Sequence, residues 1–351
     1  MPTARITEVS FTAPPAVKMD EFAALFADDP GGDEVARVVR NSAIDTKGMA
    51  VDPLVEDPRR WGTRARMERG LVEARALGGE AIASALDRAG LASREVGLLA
   101  TSTTTTHSAP GLDGLLRELG LARDAQALSL GPMGCYAALP SVAACRDWVE
   151  VHGRPAVLLL TDLFSPHLQP PPYDREQAVV LTLFGDGAAA VVLQPGEAGL
   201  PGLDVVDTET LTAAEHASDL QVHVGDHGLS IRLAPTMPDV VAAAVPGPVD
   251  ALLARNGLRR EDIAWWALHP GGRRIIDRVE EVLDLPARSV AESRAVMRAH
   301  GNTAGPAVMA VLERLWRAAP PGRGEHAVAI ACGPGATLWA ALLRGPEGSS
   351  S

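Results

Sequence analysis

Residues 88–100, Arg88-Ala89-Gly90-Leu91-Ala92-Ser93-Arg94-Glu95-Val96-Gly97-Leu98-Leu99-Ala100, have a counterpart at 255–268, Arg255-Asn256-Gly257-Leu258-Arg259-Arg260-Glu261-Asp262-Ile263-Ala264-Trp265-Trp266-Ala267-Leu268. In each, a helical stretch ends on a glycine, a leucine follows, and an apolar strand begins a few residues later. Gly90 lies over Gly257 and Val96 over Ile263, at an offset of 167 residues. Glycine takes the left-handed backbone that stops a helix, and a short apolar run between turn residues reads as a buried strand. A second landmark recurs at an offset of 148: residues 183–188, Leu-Phe-Gly-Asp-Gly-Ala, and residues 331–336, Ala-Cys-Gly-Pro-Gly-Ala, each followed by an apolar run. Each reads as a hairpin-like element closing its half. Two landmarks in the same order imply a duplicated α/β unit with loops of unequal length. Chance recurrence of a common helix–glycine–strand transition is the alternative.

The flanking sequence extends this pattern. Helices are expected over 65–91, from Pro110-Gly111 to 121, over 139–151 and over 248–256. Strands are expected over 96–100, 127–130, 156–160 and 263–268. Such alternation signals a layered α/β fold with a mostly parallel sheet. The Pro/Gly-rich stretch 194–203 is the natural junction, dividing the chain into halves 1–195 and 196–351.

Composition narrows the function. The 351 residues carry 32 Lys+Arg against 44 Asp+Glu, a net charge of −12, and aromatic residues are only 4%. That balance argues against binding nucleic acid or an anionic membrane surface. Hydrophobic residues at 46% supply a large core. No run of 18 apolar residues occurs, so no membrane span is expected. Three distant cysteines make no disulfide framework, and the first residues lack the pattern of a secretory signal, so a reduced, cytoplasmic protein is expected. Neither HExxH nor CxxC occurs, and no metal site is expected.

Three residues stand where chemistry is carried. Cys135, in Gly131-Pro132-Met133-Gly134-Cys135-Tyr136-Ala137-Ala138-Leu139-Pro140, lies on a strand-to-helix turn, because Pro140 is tolerated only in a first helical turn. The helix dipole there favours a thiolate; an inert buried cysteine is the plainer reading, and it is the reading given to Cys145 and Cys332. His269 ends the strand 263–268, and ligands in α/β sheets gather at the carboxyl ends of strands. A structural histidine is equally compatible. Asn302, in His300-Gly301-Asn302-Thr303-Ala304-Gly305-Pro306, is either a helix cap or a donor to an oxyanion. Taken together, Cys, His and Asn suggest acyl transfer through a thioester.

With these residues in hand, the chain resembles the chalcone synthase-like type III polyketide synthases of the thiolase/ketosynthase superfamily. The resemblance is carried by Gly134-Cys135-Tyr136-Ala137, by residues 183–190, by His269-Pro270-Gly271-Gly272, by Gly301-Asn302 and by Gly333-Pro334-Gly335, in family order. It implies a five-layered αβαβα thiolase-like fold and a homodimer. It also implies an acyltransferase that extends an acyl starter with malonyl-CoA by decarboxylative condensation, with cyclisation as a possible last step. No cofactor is implied beyond coenzyme A thioesters as substrates. Cys135 resembles the nucleophile, and His269 and Asn302 the pair that binds the thioester carbonyl and the malonyl enolate. Phe184 matches a gatekeeper, Ile231 stands at the second gate position where plant members carry phenylalanine, and Gly335 belongs to the loop at the cavity floor. Thr104, in the threonine-rich turn 101–106, and His167, in Phe164-Ser165-Pro166-His167, are expected to line the cavity.

Ala109 stands where plant members place a methionine that reaches into the partner subunit, and Leu139-Pro140 replaces a small Gly-rich continuation. These departures leave the number of extensions and the ring closure open, and Ile231 with Ala109 suggests an aliphatic starter. Arg40, Lys47, Arg273 and Arg274 are expected at the tunnel mouth to meet the phosphates of coenzyme A. Delivery on an acyl carrier protein is the alternative. A single-condensation ketosynthase III-like enzyme, an acyltransferase to another nucleophile and a non-catalytic thiolase-like partner subunit are the competing functions.

Overall fold

The computed structural model describes residues 4–197, 200–320 and 322–346. A nine-stranded sheet organises it. In spatial order the strands are Ile263–Leu268, His326–Gly333, Thr337–Arg344, Leu203–Thr212, Ala4–Thr12, Gly187–Pro195, Ala156–Asp162, Leu98–Ser102 and Gln126–Leu130. Strands that precede residue 196 fill one end and those that follow it fill the other. The two ends repeat the same order outward from the centre, where Ala4–Thr12 meets Leu203–Thr212 through only Arg5↔Asp204 and Ile6↔Leu203.

Alternation along the strands builds the layers. Ala156, Leu158 and Leu160 face one core, and Val157 and Leu159 another. In the second half Ala327, Ala329 and Ala331 share that first core, while Val328 and Ile330 face a third. The shared core holds the helices Ala138–His152 and Gly305–Ala318, so both ends of the sheet close on one central helical layer. Helix Thr63–Ala89 covers the outer face of the first half. Helices Met237–Ala244, Pro246–Arg255 and Arg273–Leu283 cover that of the second. Five layers result, αβαβα, each apolar sheet face buried against helices.

Several expectations need adjustment. The sheet is mixed: Leu98–Ser102 runs parallel to both its neighbours and Ile263–Leu268 to His326–Gly333, but every other adjacent pair is antiparallel. Chain reversals without a crossover helix, such as the tight turn at Pro334, produce this. Residues 183–188 are not a hairpin: Leu183 ends helix Arg175–Leu183, and strand Gly187–Pro195 returns to pair with Ala156–Asp162. The helix expected from Pro110 shrinks to two short turns, Leu112–Gly114 and Leu115–Glu118, where Gly111, Gly114 and Gly120 lower helix propensity. Residues 237–255 are long and apolar enough to cross a membrane by length and composition. They instead bury Val241, Val245, Val249, Leu252 and Leu253 in the core beside the sheet.

Candidate active site

Cys135 occupies a 3-10 turn, Gly134–Tyr136, between strand Gln126–Leu130 and helix Ala138–His152. Two contacts hold this turn. The Thr104 hydroxyl accepts a hydrogen bond from the Gly134 N–H at 2.9 Å. The hairpin turn of the second half sits directly on it: a Cβ on Gly134, whose φ is +67°, would lie 2.6 Å from Pro334 Cδ, and a Cβ on Gly333 would lie 3.1 Å from the Cys135 nitrogen. Glycine at both positions permits this approach. Asp162, at the carboxyl end of its strand, reinforces it from below, accepting from the Thr104 N–H at 2.7 Å and the Gly305 N–H at 3.1 Å.

Asn302 reaches the same sulfur from the other half. Its Oδ1 accepts from the Ala304 N–H at 2.8 Å, which orients the amide. Its Nδ2 is thereby left facing Cys135 Sγ, at 3.6 Å. Asn302 is not the cap of helix Gly305–Ala318, whose N-cap is Ala304; its oxygen closes a local turn instead, and also lies 3.8 Å from Sγ. The backbone is equally pinned: Asn302 N–H donates to Leu183 O at 2.8 Å, and Gly185 N–H donates to Asn302 O at 3.1 Å. His269 leaves strand Ile263–Leu268 with both ring nitrogens buried and without a hydrogen-bond partner among the described residues. A buried imidazole with two unmet nitrogens is costly unless a ligand completes it.

The electrostatics depart from the expectation of a dipole-stabilised thiolate. Burial pushes the Cys135 thiol up to about 12, against the lowering effect of the Asn302 hydrogen bond. Burial pushes the His269 imidazole down to about 3. Neither group carries charge alone, because desolvation outweighs the dipole of a helix that begins three residues later. Asp162, likewise desolvated, is raised to about 7.

Cys135, His269 and Asn302 line one cavity with Leu183, Phe184, Met237, Val241, Ile275 and Cys332. A second cavity is lined by Phe164, His167, Val180, Phe184, Leu229 and Ile231. Phe184 borders both, its ring stacked on Phe164 with centroids 4.5 Å apart. Ile231 packs beside this ring pair. His167 is fully engaged: Nδ1 accepts from the Leu229 N–H at 3.3 Å, so Nε2 carries the proton and donates to Thr105 O at 2.9 Å. Burial holds it down at about 4. Thr104 lies beneath the nucleophile turn and outside both linings, and Gly335 serves a turn of φ +75° rather than a close contact.

The proposed coenzyme A cations separate into two kinds. Arg40, Arg273 and Arg274 are exposed. Arg273 and Arg274 open the helix after Gly271, which lines the catalytic cavity. Lys47 is 1% exposed and lines the inner, second cavity, so it does not stand with the exposed arginines. Its place two residues before Met49 and four before Val51 gave no sign of this. Sequence reading also missed Asp162 and the aliphatic lining from helix Met237–Ala244; the only signal for Asp162 was an acid ending an otherwise apolar strand. His223 and His227 stand at HxxxH spacing, but His223 lies on strand Leu220–Gly225 and His227 in the turn leading to strand Gly228–Leu233, rather than on one helix face.

Comparison with known proteins agrees with this architecture. Residues 206–346 match the family model of the chalcone and stilbene synthase C-terminal domain, and residues 25–199 match that of FAE1/type III polyketide synthase-like proteins. A 3,5-dihydroxyphenylacetyl-CoA synthase from Streptomyces toyocaensis is 32% identical, over 89% of this chain and 82% of its own. The alpha-pyrone synthesis polyketide synthase-like Pks18 of Mycobacterium tuberculosis is also 32% identical, over 92% and 85%. The crystal structure of PKS-I from the brown alga Ectocarpus siliculosus superimposes with a TM-score of 0.90 at 26% identity, covering 98% of each chain. With its duplicated αβαβα fold and these relatives spanning nearly its whole length, the chain belongs to the chalcone synthase-like type III polyketide synthases.

Proposed function

We propose that Cys135 accepts an acyl starter from coenzyme A and that the chain extends it with malonyl-CoA. The observation that carries this is the Asn302 amide, fixed at its oxygen and directing Nδ2 to Cys135 Sγ in a cavity that also holds an unpartnered His269. In loading, Sγ attacks the thioester carbon as its proton passes to His269, and the coenzyme A thiolate leaves with that proton. In extension, His269 and Asn302 donate to the malonyl thioester oxygen. The C–C bond to the carboxylate breaks, CO₂ departs, and the electron pair rests as an enolate held by those two donors. The enolate carbon then attacks the acyl–cysteine thioester and releases Cys135.

The second cavity, which shares Phe184 with the first and sets Val180, Leu229 and Ile231 among polar groups such as His167, Gln169 and Gln177, is the proposed space for the growing chain; the aliphatic lining that suits an aliphatic starter, Met237, Val241 and Ile275 among it, belongs to the catalytic cavity. Arg40, Arg273 and Arg274 are the proposed phosphate contacts, and coenzyme A rather than a carrier protein the proposed donor. A cytoplasmic homodimer completes the reading: Ala109 is exposed in the single chain, where a partner subunit would cover it.

Intact-mass spectrometry with malonyl-CoA and a panel of acyl-CoA starters, combined with product analysis, tests this reading. Cys135→Ala is expected to lose the acyl adduct and all product. Asn302→Ala is expected to slow malonyl-CoA decarboxylation by about 100-fold while slowing acylation less. Extension by the Cys135→Ala protein, or equal loss in both half-reactions for Asn302→Ala, would remove the assigned roles.

A further inference from the structure

We infer that Lys47 is a positioning residue for Asn302, acting through the backbone of residues 181–185 rather than on coenzyme A. This rests on the role given to Asn302 above. Lys47 lies on the short strand Thr46–Gly48, paired with Ala16–Lys18, and points inward. Its ammonium donates to the carbonyls of Leu181 and Phe184, the latter at 3.1 Å, and lies 3.7 Å from the centroid of the Phe22 ring. Those two carbonyls belong to the end of helix Arg175–Leu183, where no further helical N–H is available to them.

The same few residues set the amide. Phe184 forms a backbone bridge with Asn302, flanked by the Leu183 and Gly185 hydrogen bonds already described. Gly185 is wedged in place: a Cβ there would lie 2.3 Å from His300 O and 3.1 Å from the Lys47 Cβ. Lys47 therefore grips one side of a segment whose other side grips Asn302. No ion pair accounts for its burial among the described residues. The adjacent Asp186 is engaged by the N–H groups of Ala50, Phe164 and Ser165 and by the Ser165 hydroxyl. A cation kept inside without a carboxylate partner is explained by the carbonyls it organises. Burial brings it down to about 7, against the opposing pull of Asp186, and an uncharged amine keeps two N–H donors for the same two carbonyls.

A coenzyme A-binding lysine and a positioning lysine differ in kinetics. Lys47→Met is expected to lower the kcat of malonyl-CoA decarboxylation by about tenfold or more, with KM changed less than about twofold, as displacement of a fixed donor does. In an Asn302→Ala background the same substitution is expected to add less than about twofold, because the group it positions is gone. Lys47→Arg, which retains donors, is expected to restore most of the rate. A rise in KM with kcat intact, or full additivity with Asn302→Ala, overturns the proposal. Should Lys47→Met not fold, Lys47→Gln, whose amide nitrogen stops one atom short of the lysine nitrogen, is taken through the same cycle with the same criteria. If Asn302→Ala itself leaves decarboxylation unchanged, the Asn302 assignment fails first, and that result is distinct from additivity.

Discussion

The proposed reactive centre holds two groups whose burial disfavours the charged form of each. The thiol of Cys135 is pushed up to about 12 and the imidazole of His269 down to about 3, in both cases chiefly by desolvation. The nucleophilic form proposed for the pair is the proton-transferred one, thiolate with imidazolium. Replacing His269 by alanine removes the imidazole that lines the cavity with the sulfur. Iodoacetamide labelling of Cys135 is accordingly expected near neutral pH in the wild type but only at strongly alkaline pH in His269→Ala, read by peptide mass spectrometry across a pH series. Identical pH profiles for the two proteins would show that His269 does not share the cysteine proton. Cys135, His269 and Asn302 were legible in the sequence because each stands in a glycine-marked turn at the end of an element, where local rules place side chains. Lys47 and Asp162 were not, because what decides their roles is burial by segments more than a hundred residues away, Leu181 and Gly305 among them.

At the scale of elements, the closing turn of one half is a structural part of the nucleophile of the other. Gly333 has extended backbone that any residue adopts, so its requirement is space alone: an added Cβ would lie 2.9 Å from Tyr136 Cδ1 and 3.1 Å from both the Cys135 and the Tyr136 nitrogens. Gly333→Ala is expected to push the hairpin off the 3-10 turn, costing about 1–3 kcal/mol of stability. It is expected to slow Cys135 acylation about tenfold, since small misplacement of a reacting group is expensive. Denaturant unfolding and the acylation rate by intact mass measure the two; an unchanged acylation rate would detach the hairpin from the chemistry. The apolar strands and the helix at Thr63–Ala89 were readable from periodicity and from Gly90. The antiparallel returns were not, because pairing direction depends on where a segment goes after its turn. The short elements after Pro110 defeated the reading because helix propensity there is set by glycines one turn apart.

At the scale of the whole molecule, the sheet has one edge that nothing among the described residues pairs with. Strand Gln126–Leu130 pairs only with Leu98–Ser102, and all its residues except Leu130 are exposed. Natural edge strands are usually protected by charge, proline or a bulge. Gln126-Ala127-Leu128-Ser129-Leu130 has none of the first two and keeps an unbroken register with its neighbour. Two copies meeting edge to edge about a twofold axis would satisfy both sets of backbone groups at once, and a closed symmetric contact stops further growth. The strand leads directly into the turn of Cys135, so such a contact would also steady the nucleophile loop of each subunit. The proposed homodimer therefore predicts twice the 36.7 kDa chain mass by light scattering after size exclusion. Leu128→Lys, which places a charge on this edge in each copy and sets the two near one another, is expected to shift the protein to monomer and to lower condensation activity with it. A wild type that runs as a monomer, or a Leu128→Lys protein that stays dimeric, would move the subunit contact away from this edge.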